Sequence, residues 1–248
     1  MIRFFRRVVL FVVLVFILPV LVSLLVWQAD EGRPANWHSA NWSTANLLPP
    51  ANAEDGAVIH VMAARTGRWK GAFSVHSWIV TKKKDEDRYN RYDKVGWGNP
   101  IRLNAYAADA NWYSNSPKIL KTYKGKEATN LIPKIEMAIA DYPFAYRGGY
   151  NIWPGPNSNT FVAHVLNEVP EMQLVLPANA VGRDFPVYPQ FFNLDPDWSN
   201  LQASLNGYAG FAIGKRSGIE FQFLGLVAGF DFSRPGLKLP GFGTVNPI

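Results

Sequence analysis

The sequence contains no cysteine, which excludes disulfides, thiolate metal sites and a cysteine nucleophile together. That composition is compatible with an oxidising compartment without requiring one. Histidine is scarce: the four residues His38, His60, His76 and His164 show no metal-ligand spacing, so no metal and no cofactor is implied. The glycine-rich "RGGY" and "GFG" lack the lysine and the strand context of a phosphate loop. Acidic residues are missing from everything before Asp30, whereas Arg3, Arg6 and Arg7 are there. Removing those three from the 25 basic residues leaves 22 against 19 acidic ones, so the formal charge of +6 is largely an N-terminal matter. The remainder carries an ordinary solvated surface and does not point to nucleic acid. With 48% hydrophobic and 14% aromatic residues in 248, the chain can build a sizeable core.

Charge is also absent from Val8 to Trp27, "VVLFVVLVFILPVLVSLLVW". At about 1.5 Å per residue, such a helix spans roughly the 30 Å hydrocarbon layer. The three arginines on its near side and Asp30 and Glu31 on its far side place the N-terminus in the cytoplasm by the positive-inside rule. A cleaved signal peptide is the competing reading, but Val26-Trp27-Gln28-Ala29 offers no small-x-small site. The expectation is an uncleaved single-pass anchor in the bacterial inner membrane, with the rest of the chain in the periplasm and the bilayer as its first partner.

Four segments follow from composition and period. Residues 1–29 form a cytoplasmic stub and anchor, and 30–56, rich in Ala, Asn, Pro and Ser, form a tether. Residues 57–206 form an α+β domain, and 207–248 a glycine-rich β ribbon and tail, suited to lying against the domain or the bilayer. "GAFSVHSWIV" (71–80) alternates Val75, Ser77 and Ile79 against His76, Trp78 and Val80, the pattern of a strand with two different faces. "KKKDEDR" (82–88) reads as an exposed hairpin connection and "YNRYDKVGWG" (89–98) as the returning strand. Helical spacing covers 130–142, and 170–206, rich in Pro and Asn, reads as long loops.

The densest turn chemistry is "WPGPNSNTFVAHVL" (153–166), which delivers Ser158 to the start of a helix. Asn157 or Ser158 serves as an N-cap, which accounts for most of the stretch without catalysis. Alternatively, Ser158 is a nucleophile beside free backbone amides that would hold an oxyanion. A serine needs a base. His38 is in the tether, and His164 lies about 600° around the helix from Ser158. His76 is the better candidate, with Asp93 or Asn90 brought alongside by the hairpin to orient it. Asn157, Asn159, Trp78 and Trp153 are the candidate binding residues, the tryptophans as groove lining for an extended ligand.

"ARTGRWKGAFSVHSWIV", "YNRYDKVGWG", "LIPKIEMAIADYP", "WPGPNSNTFV" and "LKLPGFG" together resemble an uncharacterised bacterial family, a domain of unknown function, over about residues 57–243. A more distant likeness is to circularly permuted papain-like hydrolases and acyltransferases of the lecithin:retinol acyltransferase type. There a strand histidine precedes a nucleophile in a motif resembling Asn-Cys-Glu-His-Phe-Val, to which "NSNTFV" is similar at Asn157, Phe161 and Val162. That likeness implies an antiparallel sheet packed on helices, with His76 as base and Ser158 in the place of the family's cysteine. The expected function is a serine-dependent amidase, peptidase or acyltransferase acting on peptidoglycan peptides, lipoproteins or lipids of the cell envelope. The alternative is a catalytically inactive, membrane-tethered binding or assembly module.

Overall fold

The computed structural model describes residues 1–30, 32–233 and 235–246; Glu31 of the tether and Arg234, Pro247 and Ile248 of the C-terminal segment lie outside the described residues. The architecture is α+β, with an apolar N-terminal helix, α1 (Ile2–Gln28), and two antiparallel sheets. Helix α1 is long and apolar enough to cross a membrane. Pro19 lacks an N–H and its ring crowds the preceding turn, and the ladder widens to π-type over Val13–Ile17 just before it. Residues Ile2–Val12 bury nothing. Further along, Phe16 and Ser23 are buried against the domain, and the Ser23 hydroxyl donates to the carbonyl of Ala72.

The first sheet has the order β4-β3-β2-β1-β5, built from β1 (Val58–Arg65), β2 (Val75–Lys82), β3 (Asn90–Lys94), β4 (Ile101–Leu103) and β5 (Lys118–Lys124). Both faces of its centre are covered, so every residue of β2 is buried. On one face Ile59, Val61, Val75 and Ile79 pack against α2 (Gly125–Ala140) and α3 (Ser158–Glu168). On the other, Met62, Trp78 and Val80 meet Trp112, Trp42 and Tyr106. The alternation in the sequence of β2 thus serves two apolar cores, as period-two geometry requires. Helix α2 begins five residues before the helical spacing starts, because Gly125, at φ +59°, turns the chain directly out of β5.

The second sheet is a meander, β12-β11-β10-β9-β8-β7-β6: β6 (Phe192–Leu194), β7 (Asn200–Leu205), β8 (Ala209–Gly214), β9 (Gly218–Phe223), β10 (Leu226–Asp231), β11 (Gly236–Leu239) and β12 (Gly243–Val245). It therefore starts at Phe192, inside the stretch that reads as loops, and not at 207. Short strands broken by Asp195 to Ser199 carry no run long enough to show a period.

The segment 30–56 also differs from a free tether. Asp109, 4% exposed, accepts from the Thr44 hydroxyl at 2.6 Å and from the amides of Leu47 at 2.6 Å and Leu48 at 3.1 Å. Trp42 stacks on Tyr106, ring centroids 5.6 Å apart. Asp109→Ala leaves those donors unsatisfied, at a cost of about 1–3 kcal/mol. Limited proteolysis of the variant is expected to cut within residues 37–48, where the parent resists, with a matching fall in urea midpoint.

Candidate functional site

Asn157 is the N-cap of α3. Its Oδ1 accepts from the amides of Asn159 (2.9 Å) and Thr160 (3.1 Å), while Thr160 Oγ1 accepts from the Asn157 amide at 3.0 Å, a reciprocal capping box. The Asn157 Nδ2 donates to the carbonyls of Ile152 and Val181, both at 3.0 Å. Gly182, at φ +94°, lets that side chain in, since a Cβ there would lie 2.1 Å from Nδ2. Asn159 fastens the helix to the first sheet: Nδ2 donates to Val75 O and Val181 O, each at 2.9 Å, and Oδ1 accepts from Ser77 Oγ at 2.8 Å. Both asparagines face the cleft described below, yet their amide groups are committed to holding the turn.

Ser158, the first helical residue, is thereby relieved of capping. It is 4% exposed, and it hydrogen-bonds the Tyr150 hydroxyl through both its side chain and its backbone N–H. Burial raises the Tyr150 phenol above its ordinary pKa, against the opposing effect of the Ser158 bonds. The expectation of free helix-start amides is corrected here. The Asn159 and Thr160 amides are spent on the cap, and of this first turn the Ser158 amide is the one directed at Tyr150.

His76 sits at the start of β2. The register that puts Ile79 opposite Tyr92 carries Asp93 to the diagonal of His76, and Asp93 Oδ1 lies 2.8 Å from His76 Nε2. Two residues back on the same face, Arg91 grips that carboxylate with Nε to Oδ2 at 2.7 Å and Nη2 to Oδ1 at 3.0 Å. Its Nη1 donates to Ala107 O at 2.8 Å, and its guanidinium lies 4.0 Å from the centre of the Trp78 ring. The imidazole lies flat on Trp112, centroids 3.6 Å apart and planes 8° from parallel. Burial depresses the His76 pKa below its ordinary value, outweighing the hydrogen bond and charge of Asp93; Arg91 depresses it further. Burial pushes the Asp93 carboxyl upward, but Arg91 and the His76 bond overcome it and leave the group below the usual carboxylate range. The consistent state is a neutral imidazole donating Nε2–H to an ionised Asp93, which leaves the Nδ1 lone pair free.

Asn90 is not part of this set. It pairs with Thr81, and its side chain joins Glu86 at 3.1 Å and Asn104 at 3.1 Å. An odd-numbered offset along a strand reverses the face, so Asn90 and Asp93 cannot serve the same histidine. Trp78 is likewise no groove residue: it is fully buried behind the imidazole, with Nε1 donating to Ala108 O at 2.9 Å. Trp153 does line the cleft, 43% exposed, its Nε1 fixed on Leu224 O at 2.9 Å.

His76 and Ser158 share one open cleft of about 920 Å³, floored by Trp112 and Tyr150 and reaching Val20 of α1. No direct hydrogen bond joins their side chains; each has its own partner, Asp93 and Tyr150. The remaining histidines have structural settings: His60 Nδ1 pairs with Thr122 Oγ1 at 2.9 Å, His164 Nε2 with Ala138 O at 3.0 Å, and His38 lies on Trp37. Sequence reasoning missed Arg91 and Tyr150, and placed Trp112 no more closely than among the aromatics of core and groove lining. For Arg91 the signal existed, since it shares the parity of Asp93 on β3. Trp112 and Tyr150 arrive on irregular segments with no period to betray them.

Residues 56–185 match a family described as Protein of unknown function (DUF3750). The chain belongs to that family. No curated protein and no solved structure matches it. The stretch shared with the DUF3750 family contains His76, Arg91, Asp93, Tyr150 and Ser158, whereas the whole second sheet lies beyond it.

Because Asn157 caps the helix, Asn157→Ala is expected to lower stability by about 2 kcal/mol through the lost cap and the unmatched Ile152 carbonyl, while Val181 O keeps Asn159. Ser158→Ala is expected to cost about 1 kcal/mol or less. Urea unfolding of the two variants side by side measures the contrast.

Proposed function

We propose that the protein is a membrane-anchored hydrolase or acyltransferase in which Ser158 attacks an amide or ester carbonyl and His76 is its general base. The observation that carries this reading is His76 held by a buried Asp93–Arg91 pair, in the same cleft as a serine that Asn157 relieves of helix capping.

The chemistry follows from the free lone pair. Ser158 Oγ turns from Tyr150 towards His76 and transfers its proton to Nδ1 as Oγ bonds to the substrate carbonyl carbon. The imidazolium formed is stabilised by ionised Asp93, which also fixes the ring so that Nδ1 and not Nε2 faces the cleft. Charge developing on the carbonyl oxygen meets the Ser158 amide and the Tyr150 hydroxyl, now released as a donor. Collapse expels the amine or alcohol, which takes the proton from Nδ1 and leaves an acyl group on Ser158. Water or an acceptor hydroxyl or amine then removes the acyl group by the same steps in reverse.

The order of a strand histidine followed by a nucleophile at a later helix start, and an antiparallel sheet packed on helices, support a permuted papain-like arrangement with serine in the cysteine position. Arg3, Arg6 and Arg7 ahead of α1 favour a cytoplasmic N-terminus and a periplasmic domain, where peptidoglycan peptides, lipoproteins and lipids offer such bonds.

A fluorophosphonate probe applied to the full-length protein in detergent is expected to label Ser158, with labelling abolished in Ser158→Ala and His76→Ala. Asp93→Asn, which removes the charge that supports the imidazolium, is expected to slow it by about 10²–10⁴-fold. The reactive form has His76 deprotonated and burial depresses its pKa, so on acidification the labelling rate should fall at a lower pH than an ordinary histidine would give. Absence of labelling at every pH would overturn the enzyme reading and leave an inactive envelope-binding module.

A further inference from the structure

The second sheet is built inside out. Pairing places Phe211 opposite Phe221, Ile213 opposite Ile219, and Phe230 opposite Leu237, all on one side. Following the register through β6–β12, every residue carried to that side is apolar. The six named are between 37% and 55% exposed. The opposite side, which faces the rest of the protein, is the polar one. There Glu220, 1% exposed, is bound by Lys238 at 2.5 Å and by Arg183. A sheet that covers a water-soluble domain alternates the other way. The buried charges fix the orientation, since turning the sheet over would carry Glu220 and Lys238 outward and leave Arg183 buried against apolar side chains without its carboxylate.

Seven strands at about 4.8 Å spacing make this face roughly 30 Å wide, larger than the few hundred Å² of apolar surface that a soluble monomer leaves uncovered. Helix α1 already lies on it. Phe16, midway along α1, packs on Phe223 with ring centroids 5.8 Å apart, and Phe223 belongs to the apolar side. The face therefore stands beside the central turns of a helix long and apolar enough to cross a membrane. At its rim the turn residues Trp198 and Phe232 are 81% and 55% exposed, the aromatic character of an interface belt. With no polar side chain projecting, the face offers a protein partner nothing to hydrogen-bond, and the backbone of β7–β11 is paired on both sides, leaving unpaired edges at β6 and β12 that belong at the headgroup level rather than in hydrocarbon.

We propose that the apolar side of β6–β12 is seated in the lipid bilayer, in the leaflet on the domain's side of the membrane, next to α1. The seating brings Leu224 and Leu226 of the β9–β10 turn, which line the His76–Ser158 cleft together with Val20 of α1, to the level of the lipid. It stands whether or not Ser158 is a nucleophile.

The absence of native cysteine makes the test direct. Single cysteines replace Phe211, Phe221 and Leu237 in turn, and Asp85 and Lys126 as exposed controls, each carrying a nitroxide in full-length protein reconstituted into phosphatidylcholine–phosphatidylglycerol vesicles. The expected result is a several-fold higher ratio of oxygen to nickel-chelate collision rates at the three sheet positions than at the two controls. Equal ratios overturn the seating. So does spin–spin broadening at the sheet positions that disappears on dilution with unlabelled protein, which would identify a second copy of the chain as the occupant. A far-UV circular dichroism spectrum unchanged from the parent shows that each singly labelled preparation retains the fold.

Discussion

The site depends on Asn159, whose single side chain joins elements far apart in the chain. It accepts from Ser77 on β2, 82 residues earlier, and donates to Val75 O on the same strand and to Val181 O beyond the helix. The two carbonyls, at a strand start and in an irregular turn, also accept from Ser74 and Asn157 respectively, and each Asn159 bond to them contributes about 0.5–1.5 kcal/mol net. Meeting them pins the first turn of α3 to the end of β2 that carries His76. Asn157 completes the arrangement by taking the capping role, so Ser158 stands between two structural asparagines with its own hydroxyl uncommitted to the helix. The turn-forming residues of "WPGPNSNTF" build the cap and tie the helix start to the first sheet.

The electrostatics around His76 follow from burial. A buried carboxylate without a partner would take up a proton, and Arg91 prevents that with two hydrogen bonds. Arg91 is in turn enclosed by Trp78, Tyr106 and the Ala107 carbonyl, so the ion pair is fully desolvated. Removing one member of such a pair costs about 3–5 kcal/mol, more than most single contacts supply. The strand thus commits considerable stability to keeping one imidazole neutral, oriented and flat against Trp112. Neither an apolar core nor a solvated surface needs that.

Regular elements were legible in the sequence. The two-faced alternation of β2, the hairpin to β3 and the start of α3 all rest on periods and caps that survive in the fold. Asp93 could be reached from the hairpin, but only to within a few residues, and parity along β3 then rejects Asn90 and brings in Arg91. The rest was hidden because it lacks a period. Trp112 and Tyr150 come from irregular chain, and β6 and β7 are short strands among prolines and asparagines. The second sheet read as a glycine-rich ribbon suited to the domain or the bilayer, with nothing in its composition to say which side faces out. The buried salt bridges of Glu220 decide that, and they exist only once Arg183 and Lys238 are brought together.

The central claim is that Asp93 holds His76 as a neutral base with Nδ1 presented to the cleft. Nitrogen-15 NMR of the histidine side chains, assigned through His76→Gln and followed against pH, tests it most directly. The account predicts a proton on Nε2, an unprotonated Nδ1 at neutral pH, and a titration midpoint below 6.5. A proton resident on Nδ1, or a midpoint above 6.5, would contradict it.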